Sequence, residues 1–364
     1  MILNRISIIN YKNLAQIELE CAPKLNCFIG HNGMGKTNLL DAVYYLSFCK
    51  SASNPIDSQN IRHGEDFFVI QGSYQTEKGE EEEVYCGMKR GRKKQFKHNK
   101  KEYQRFADHI GLIPLVMVSP DDASLIVGGS DERRKFMDMV ISQYDKAYLD
   151  ALIHYNKTLQ QRNSLLKADA EPDADLMNVL EEMLAKDGNV IFEKRTDFVH
   201  EFILQFQEIH AAITLGKEVV SLCYQSDLQK DDLKRLLENS RAKDRIMGYT
   251  LKGTHKDDLL MGLGNYAIRR EGSQGQNKTY LTALKLAQFM FLKHHGSNTT
   301  PILLLDDIFD KLDALRVEQI VRLVSEPDFG QIFVTDTNRD HLEEIVGGLE
   351  GEHKVFHVEN GTVS

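Results

Sequence analysis

Apolar positions along the 364-residue chain fall into three successive regimes. Residues 2–9 and 17–21 alternate or run apolar around Tyr11-Lys12-Asn13, the pattern of an opening hairpin. Residues 25–29 form a short, fully apolar run that ends at Gly30. In residues 38–48, Leu39, Leu40, Val43 and Leu46 recur at helical spacing, and further strand patterns follow at 67–74, 83–88, 95–97 and 112–118. From about residue 131 to 216 the strand patterns stop. Tyr148, Leu152, Tyr155, Leu159, Arg162 and Leu166 step by four and three, the seam of a helix packed along another helix, with Arg162 interrupting it. The polar stretch 167–175 predicts a turn. Leu176, Val179, Leu180, Met183 and Leu184 then open a return helix that Phe198, Phe202, Phe206 and Ile209 continue. Strands resume near residue 250, a helix is expected over 280–293, and 301–305 and 332–335 read as buried strands.

Strand-and-helix alternation on both sides of a helical block predicts an α/β domain split by an insertion. The expected organisation is a discontinuous head, residues 1–130 and 245–364, around a helical arm, residues 131–244. With 41% hydrophobic and 27% charged residues, 25 Gly and only 7 Pro, the chain has the composition of a folded globular protein. A membrane span needs about 20 apolar residues, and the longest comparable run, 112–118, has seven. The N-terminal residues lack a secretory apolar core. Cys21, Cys27, Cys49, Cys86 and Cys223 contain no CxxC pair, which argues against a zinc site or disulfide framework and for a reducing, cytoplasmic setting. His294 and His295 fit surface positions better than ligand positions.

Three motifs carry chemistry. Gly30-His31-Asn32-Gly33-Met34-Gly35-Lys36-Thr37 fits GxxxxGK[ST], with a strand before it and a helix after it. Such a loop wraps a phosphate chain with backbone N–H groups at a helix N-terminus. Lys36 would reach the β- and γ-phosphates and the Thr37 hydroxyl would hold Mg²⁺. Pro301-Ile302-Leu303-Leu304-Leu305-Asp306-Asp307 is an apolar strand ending in two carboxylates. Asp306 is the candidate metal ligand and Asp307 the candidate catalytic group that orients or deprotonates the attacking water; a strand ending in Asp at a helix cap is the plainer alternative. Gly272-Ser273-Gln274-Gly275-Gln276-Asn277-Lys278 opens the helix expected at 280–293, as an ordinary N-cap or as an anion-binding turn.

In this order, P-loop, helical insertion, Ser-Gln-Gly-Gln and paired carboxylates, the chain resembles the chromosome-maintenance and break-repair branch of the ABC-type ATPase superfamily. More narrowly, it is similar to the RecF family of bacterial recombination proteins. The most specific stretch is Ser119-Pro120-Asp121-Asp122, followed by Leu125-Ile126-Val127-Gly128 and Arg133-Arg134-Lys135-Phe136-Met137-Asp138. Gly253-Thr254-His255-Lys256-Asp257-Asp258 and the spacing Leu184, Gly188, Ile191, Arg195 match as well. The resemblance implies an ABC-type ATPase head with mixed sheets and an inserted helical arm, and ATP and Mg²⁺ as cofactors. Ser273, Gly275 and Gln276 would serve the nucleotide of the opposite subunit of an ATP-dependent homodimer. It further implies weak ATPase activity, action on duplex DNA near single-strand gaps and junctions, and help in loading RecA with RecR and RecO. Ser130 stands where the family usually has Pro, Ser51-Ala52-Ser53-Asn54 where an SHRT-like segment is common, and Asp310-Lys311-Leu312-Asp313 in place of SELD. The alternative is the soluble ATPase subunit of a transporter, which would carry a Gln loop and a switch His; Asp336 occupies the latter position. A chromosome-organising tether would need a far longer coiled coil.

Charge qualifies this picture. The 45 Lys+Arg against 54 Asp+Glu give −9, a poor balance for a DNA binder. Residues 86–105, however, hold nine cations, Lys89, Arg90, Arg92, Lys93, Lys94, Lys97, Lys100, Lys101 and Arg105, against the single acid Glu102. That segment is +8, which leaves −17 on the rest. An antiparallel hairpin would gather several of these on one face as a phosphate track, with a solvated, aggregation-resistant edge as the plainer reading. Phe96 and Tyr103 are expected to pack.

Overall fold

Each apolar regime becomes a layer in the computed structural model, which describes residues 1–296, 299–308, 312–337 and 352–364. The chain divides into two compact units, residues 1–122, 212–215 and 274–364 in one, and residues 123–211 and 216–273 in the other.

The first unit opens with strands β1 (Ile2–Tyr11) and β2 (Leu14–Glu20), then β3 (Leu25–Ile29) and helix α1 (Lys36–Phe48). Strands β4 (Phe67–Gln75), β5 (Glu81–Lys89), β6 (Gln95–His98), β7 (Lys101–Glu102) and β8 (Leu115–Val118) follow. Strands β2-β1-β4-β5-β6-β7 form an antiparallel sheet. Its alternation is the one-sided kind: Ile6, Ile8, Phe68, Ile70, Val84 and Cys86 are buried, while their neighbours face solvent.

In the second unit come α2 (Ser124–Val127), α3 (Ser130–Tyr144), α4 (Lys146–Lys167), α5 (Ala174–Thr214, its last residues counted with the first unit) and β9 (Val220–Gln225). They are followed by α6 (Leu233–Met247), β10 (Asp258–Leu263), β11 (Tyr266–Ala267) and α7 (Ile268–Glu271). This unit starts before residue 131 and ends well after 244, because β9, unexpected from the sequence, pairs with β10 along its whole length. Its alternating Val220, Leu222 and Tyr224 are buried, and β10 packs on α3, so the three-stranded sheet belongs with the helices.

The chain then supplies α8 (Gln274–His295), β12 (Ile302–Asp306), α9 (Ala314–Ser325), β13 (Ile332–Asp336), β14 (His353–Glu359) and β15 (Thr362–Val363) to the first unit. These complete a second sheet, β15-β14-β3-β13-β12-β8, parallel from β14 to β8. Strands β3, β8, β12 and β13 are buried almost throughout, which is why they read as continuous apolar runs rather than alternations. Helix α1 packs against both sheets.

The second unit corrects two readings of its helices. Arg162 does not interrupt the α4 seam: it is fully buried within it, beside Tyr148, Ala151, Tyr155, Thr158 and Leu166. Its guanidinium lies 2.9 Å from Glu181 and 2.8 Å from Asp244, and donates to the Thr250 hydroxyl at 2.8 Å. On α5, Leu176, Val179 and Met183 are exposed, and Met177, Leu180 and Leu184 carry the burial. The core-facing stripe is thus rotated from the one expected. Arg162→Met would leave buried Asp244 without its guanidinium and Glu181 with Arg241 alone, and is expected to cost about 3–5 kcal/mol in urea unfolding. A loss below about 1 kcal/mol would show that this cluster does not fix the helices.

Candidate functional site

Three adjacent parallel strands, β3, β13 and β12, end side by side, pairing Asp306 with Thr335 and Thr335 with Phe28. The loop from β3 to α1 crosses these ends. At Gly35 the backbone takes φ +112°, and a Cβ would meet the Asn13 side chain at 2.8 Å, so only glycine serves there. Lys36 and Thr37 therefore open α1, where the first backbone N–H groups have no partner within the helix itself. The Lys36 ammonium donates to the carbonyls of Gly30 at 2.6 Å and His31 at 3.1 Å. Burial lowers its pKa from the usual lysine value, opposed by the charges of Asp307, Asp306 and Asp336.

Asp306 is the hub. One of its carboxylate oxygens accepts from the Thr37 hydroxyl at 3.1 Å and from the Thr335 hydroxyl at 2.6 Å. Burial raises its pKa, and those two hydrogen bonds and Lys36 work against that shift. Asp307 leaves β12 with φ +51°, its N–H donating to the Thr335 hydroxyl at 3.2 Å and its carbonyl accepting from the Lys278 ammonium at 3.2 Å. A cavity of about 150 Å³ lies over these groups, lined by Asn32, Gly33, Gly35, Lys36, Thr37, Asn38, Asp306, Asp307 and Thr335. The Thr37 hydroxyl and the Asp306 carboxylate are hard oxygen donors meeting at one point. That donor set fits Mg²⁺, which takes one or two protein oxygens and completes its shell with phosphate and water.

The structure therefore joins the P-loop to the paired carboxylates. His31 is exposed and Met34 half-buried, its carbonyl accepting from Gly361 N–H at 3.0 Å. Gly275 and Gln276 lie in the first turn of α8, Ser273 immediately precedes it, and none of the three is among the residues lining the cavity. Asp310 and Lys311 lie outside the described residues. Thr335 belongs to none of the sequence motifs; its only signal there is its place at the end of an apolar run.

The basic segment folds as the β5–β6–β7 hairpin. Lys89, Arg90, Arg92, Lys93, Lys100, Lys101 and Arg105 are exposed, and Lys97 is half-buried. Lys94 leaves the set. Its ammonium lies 2.7 Å from Asp57, donates to the Cys49 carbonyl at 2.6 Å, and stands 5.1 Å and 5.0 Å from the Tyr45 and Phe106 ring centres. Surrounded this way, it packs the inner side of the sheet and is not part of a phosphate track. Phe96 is fully buried against His109 and Phe106.

A family model described as "RecF/RecN/SMC N terminal domain" matches residues 2–364. The DNA replication and repair protein RecF of Phocaeicola vulgatus is 68% identical over 364 residues, covering 100% of this chain and 98% of that protein. The chain belongs to the RecF family. RecF of Porphyromonas gingivalis is 49% identical over the full length of both chains. A solved structure of the recombination mediator RecF with ATP superposes with a TM-score of 0.89 at 29% identity, covering 100% of this chain and 97% of that one. An Smc head structure matches at a TM-score of 0.61 and 14% identity, which shows the shared α/β head fold alone. Among the described residues, no helix is long and apolar enough to cross a membrane.

Two of the stretches that resemble the RecF family, residues 133–138 and 253–258, bind one another inside the second unit. Arg133 forms a two-pronged pair with Asp258 at 2.6 Å and 3.0 Å, and Arg134 donates to the Asp257 carbonyl at 2.6 Å. Buried Arg195 bridges Asp138 at 2.8 Å and Asp257 at 3.1 Å, with Tyr148 donating to Asp138 and Tyr224 to Asp257. For the nucleotide site, Thr335→Val removes the shorter of the two hydrogen bonds that aim Asp306. The Mg²⁺ concentration needed for ATP binding is expected to rise about tenfold or more, read by titrating Mg²⁺ against a fluorescent ATP analogue. An unchanged Mg²⁺ dependence would remove Thr335 from the site.

Proposed function

We propose that this chain is an ATP-switched DNA-binding protein of recombinational repair, acting on duplex DNA near single-strand gaps. In this reading ATP binding draws two copies together on the DNA and slow hydrolysis releases them. The observation that carries it is the meeting of Lys36, Thr37, Asp306 and Thr335 at the ends of three parallel strands, in a chain that matches RecF proteins from end to end. The transporter reading is not favoured, because the relatives spanning the whole chain are named RecF.

The geometry supports the following roles. Backbone N–H groups of residues 33–37 and the Lys36 ammonium, released from the Gly30 and His31 carbonyls, receive the phosphates. Thr37 and Asp306 would hold Mg²⁺, which offsets phosphate charge. Asp307 lines the same cavity, and its carboxylate would orient or deprotonate the attacking water. Ser273, Gly275 and Gln276 would complete the nucleotide site of the second copy, presenting a hydroxyl and helix N-terminal N–H groups to the γ-phosphate. Lys89, Arg90, Arg92, Lys93, Lys97, Lys100 and Lys101 are the proposed phosphate contacts. By family resemblance the partners are RecR and, through it, RecO and RecA, in the cytoplasm.

Lys36→Met is expected to abolish ATP binding and ATP-dependent dimerisation in sedimentation. Ser273→Arg should still bind ATP but neither dimerise nor hydrolyse it. Mixed together, the two variants contain one complete site per heterodimer and should recover part of both activities; a Ser273→Arg monomer with normal hydrolysis would refute the shared site. On the hairpin, replacing Arg92, Lys93 and Lys101 by Glu should weaken duplex binding and flatten its salt dependence by roughly 0.9 in logarithmic slope per lost phosphate contact. An unchanged slope would return the hairpin to a solvated edge.

A further inference from the structure

The geometry points to a second DNA contact, a platform on the antiparallel sheet on which an unpaired nucleobase stacks against Tyr85. It rests on the DNA reading of the hairpin and adds which part of the ligand is recognised.

Strand register places Tyr85 opposite Gln71 and Lys97, Gly87 opposite Val69 and Gln95, and Lys89 opposite Phe67. All of these lie on the solvent side of the sheet, half-buried or exposed, whereas Val84, Cys86, Phe68 and Phe96 fill the inner side. A Cβ at Gly87 would fall 2.6 Å from the Tyr85 hydroxyl and 3.1 Å from its ring edge. The ring therefore lies along the sheet over Gly87 instead of standing off it, and a residue without a side chain is what lets it do so. Half-exposed on this side of the sheet, the ring can offer a π-face once the Lys97 ammonium over it moves aside. Phe67, 40% exposed, stands further along the same face.

Cations frame this surface. The Lys97 ammonium sits 5.4 Å from the Tyr85 ring centre, and Lys89 and Arg90 continue the edge. An aromatic on an open sheet face beside a cationic edge is the chemistry by which single strands are held without sequence preference. A base entering over Tyr85 would displace the Lys97 ammonium from the ring toward the phosphate of the same nucleotide. Duplex DNA cannot use the ring, because its bases are already stacked. The ligand class is therefore a single strand or the unpaired nucleotides beside a duplex end.

The chain has no Trp, so Tyr85→Trp introduces a single reporter at the platform. Its emission is expected to be quenched by oligothymidylate and not by an abasic oligonucleotide of equal length and charge. Tyr85→Ala should weaken oligothymidylate binding roughly tenfold and leave duplex binding unchanged, with Tyr85→Phe like the unaltered protein. Gly87→Ala keeps the ring but lifts it, and should weaken single-strand binding in the same direction. An unquenched Trp, or oligothymidylate binding unaffected by Tyr85→Ala, would overturn the platform even if reversing Arg92, Lys93 and Lys101 weakens both DNAs. If that reversal leaves both DNAs bound as before, the hairpin reading fails, and quenching by bases alone decides the platform separately.

Discussion

The parallel register of β3, β13 and β12 is the constraint on which the proposed nucleotide site depends. It brings Thr37 and Asp306, 269 positions apart in the chain, within 3.1 Å. Asp306 ends β12 and Thr37 opens the helix that follows β3; both are placed because an apolar strand has no other way to satisfy its backbone than to pair inside a covered sheet. The insertion between them can be long because its two ends are anchored to one sheet, and closing a longer loop adds little further entropy.

The second unit solves a different problem. Its helices bury two arginines, Arg162 and Arg195, each against a pair of carboxylates. A buried guanidinium is tolerable only when its donors are matched, so these clusters restrict how α3, α4, α5 and α6 can sit together. Arg133, Arg134, Asp138, Asp257 and Asp258, which belong to stretches that resemble the RecF family, are occupied with this cross-linking. Their chemistry is spent on holding a shape. The groups proposed to bind and hydrolyse the nucleotide come from the shorter and more widespread P-loop and strand-end motifs.

Electrostatics divides the surface in the same way. A net charge of −9 conceals a hairpin whose exposed cations face solvent, and one cation of that segment, Lys94, is structural. A hairpin's alternation and its turns decide which of nine adjacent cations remain available to a ligand. Counting charges along the chain could not.

Local patterns were enough to place most strands of the first unit within a few residues, the P-loop on a strand-to-helix turn, and the helical block between two α/β segments. They sufficed because period-two, period-three-to-four and continuous apolar runs report directly on one-sided sheets, helices and covered sheets. The family was legible too, since its motifs are contiguous. The pairing of β9 with β10, the rotated stripe of α5, the burial of Arg162 and the role of Thr335 were not legible. Each depends on which distant segment lies alongside, and a residue's own neighbours carry no record of that. The sequence determined the parts and their chemistry; the tertiary structure decided which groups share a site, because hydrogen-bond register and ion pairing act across hundreds of residues.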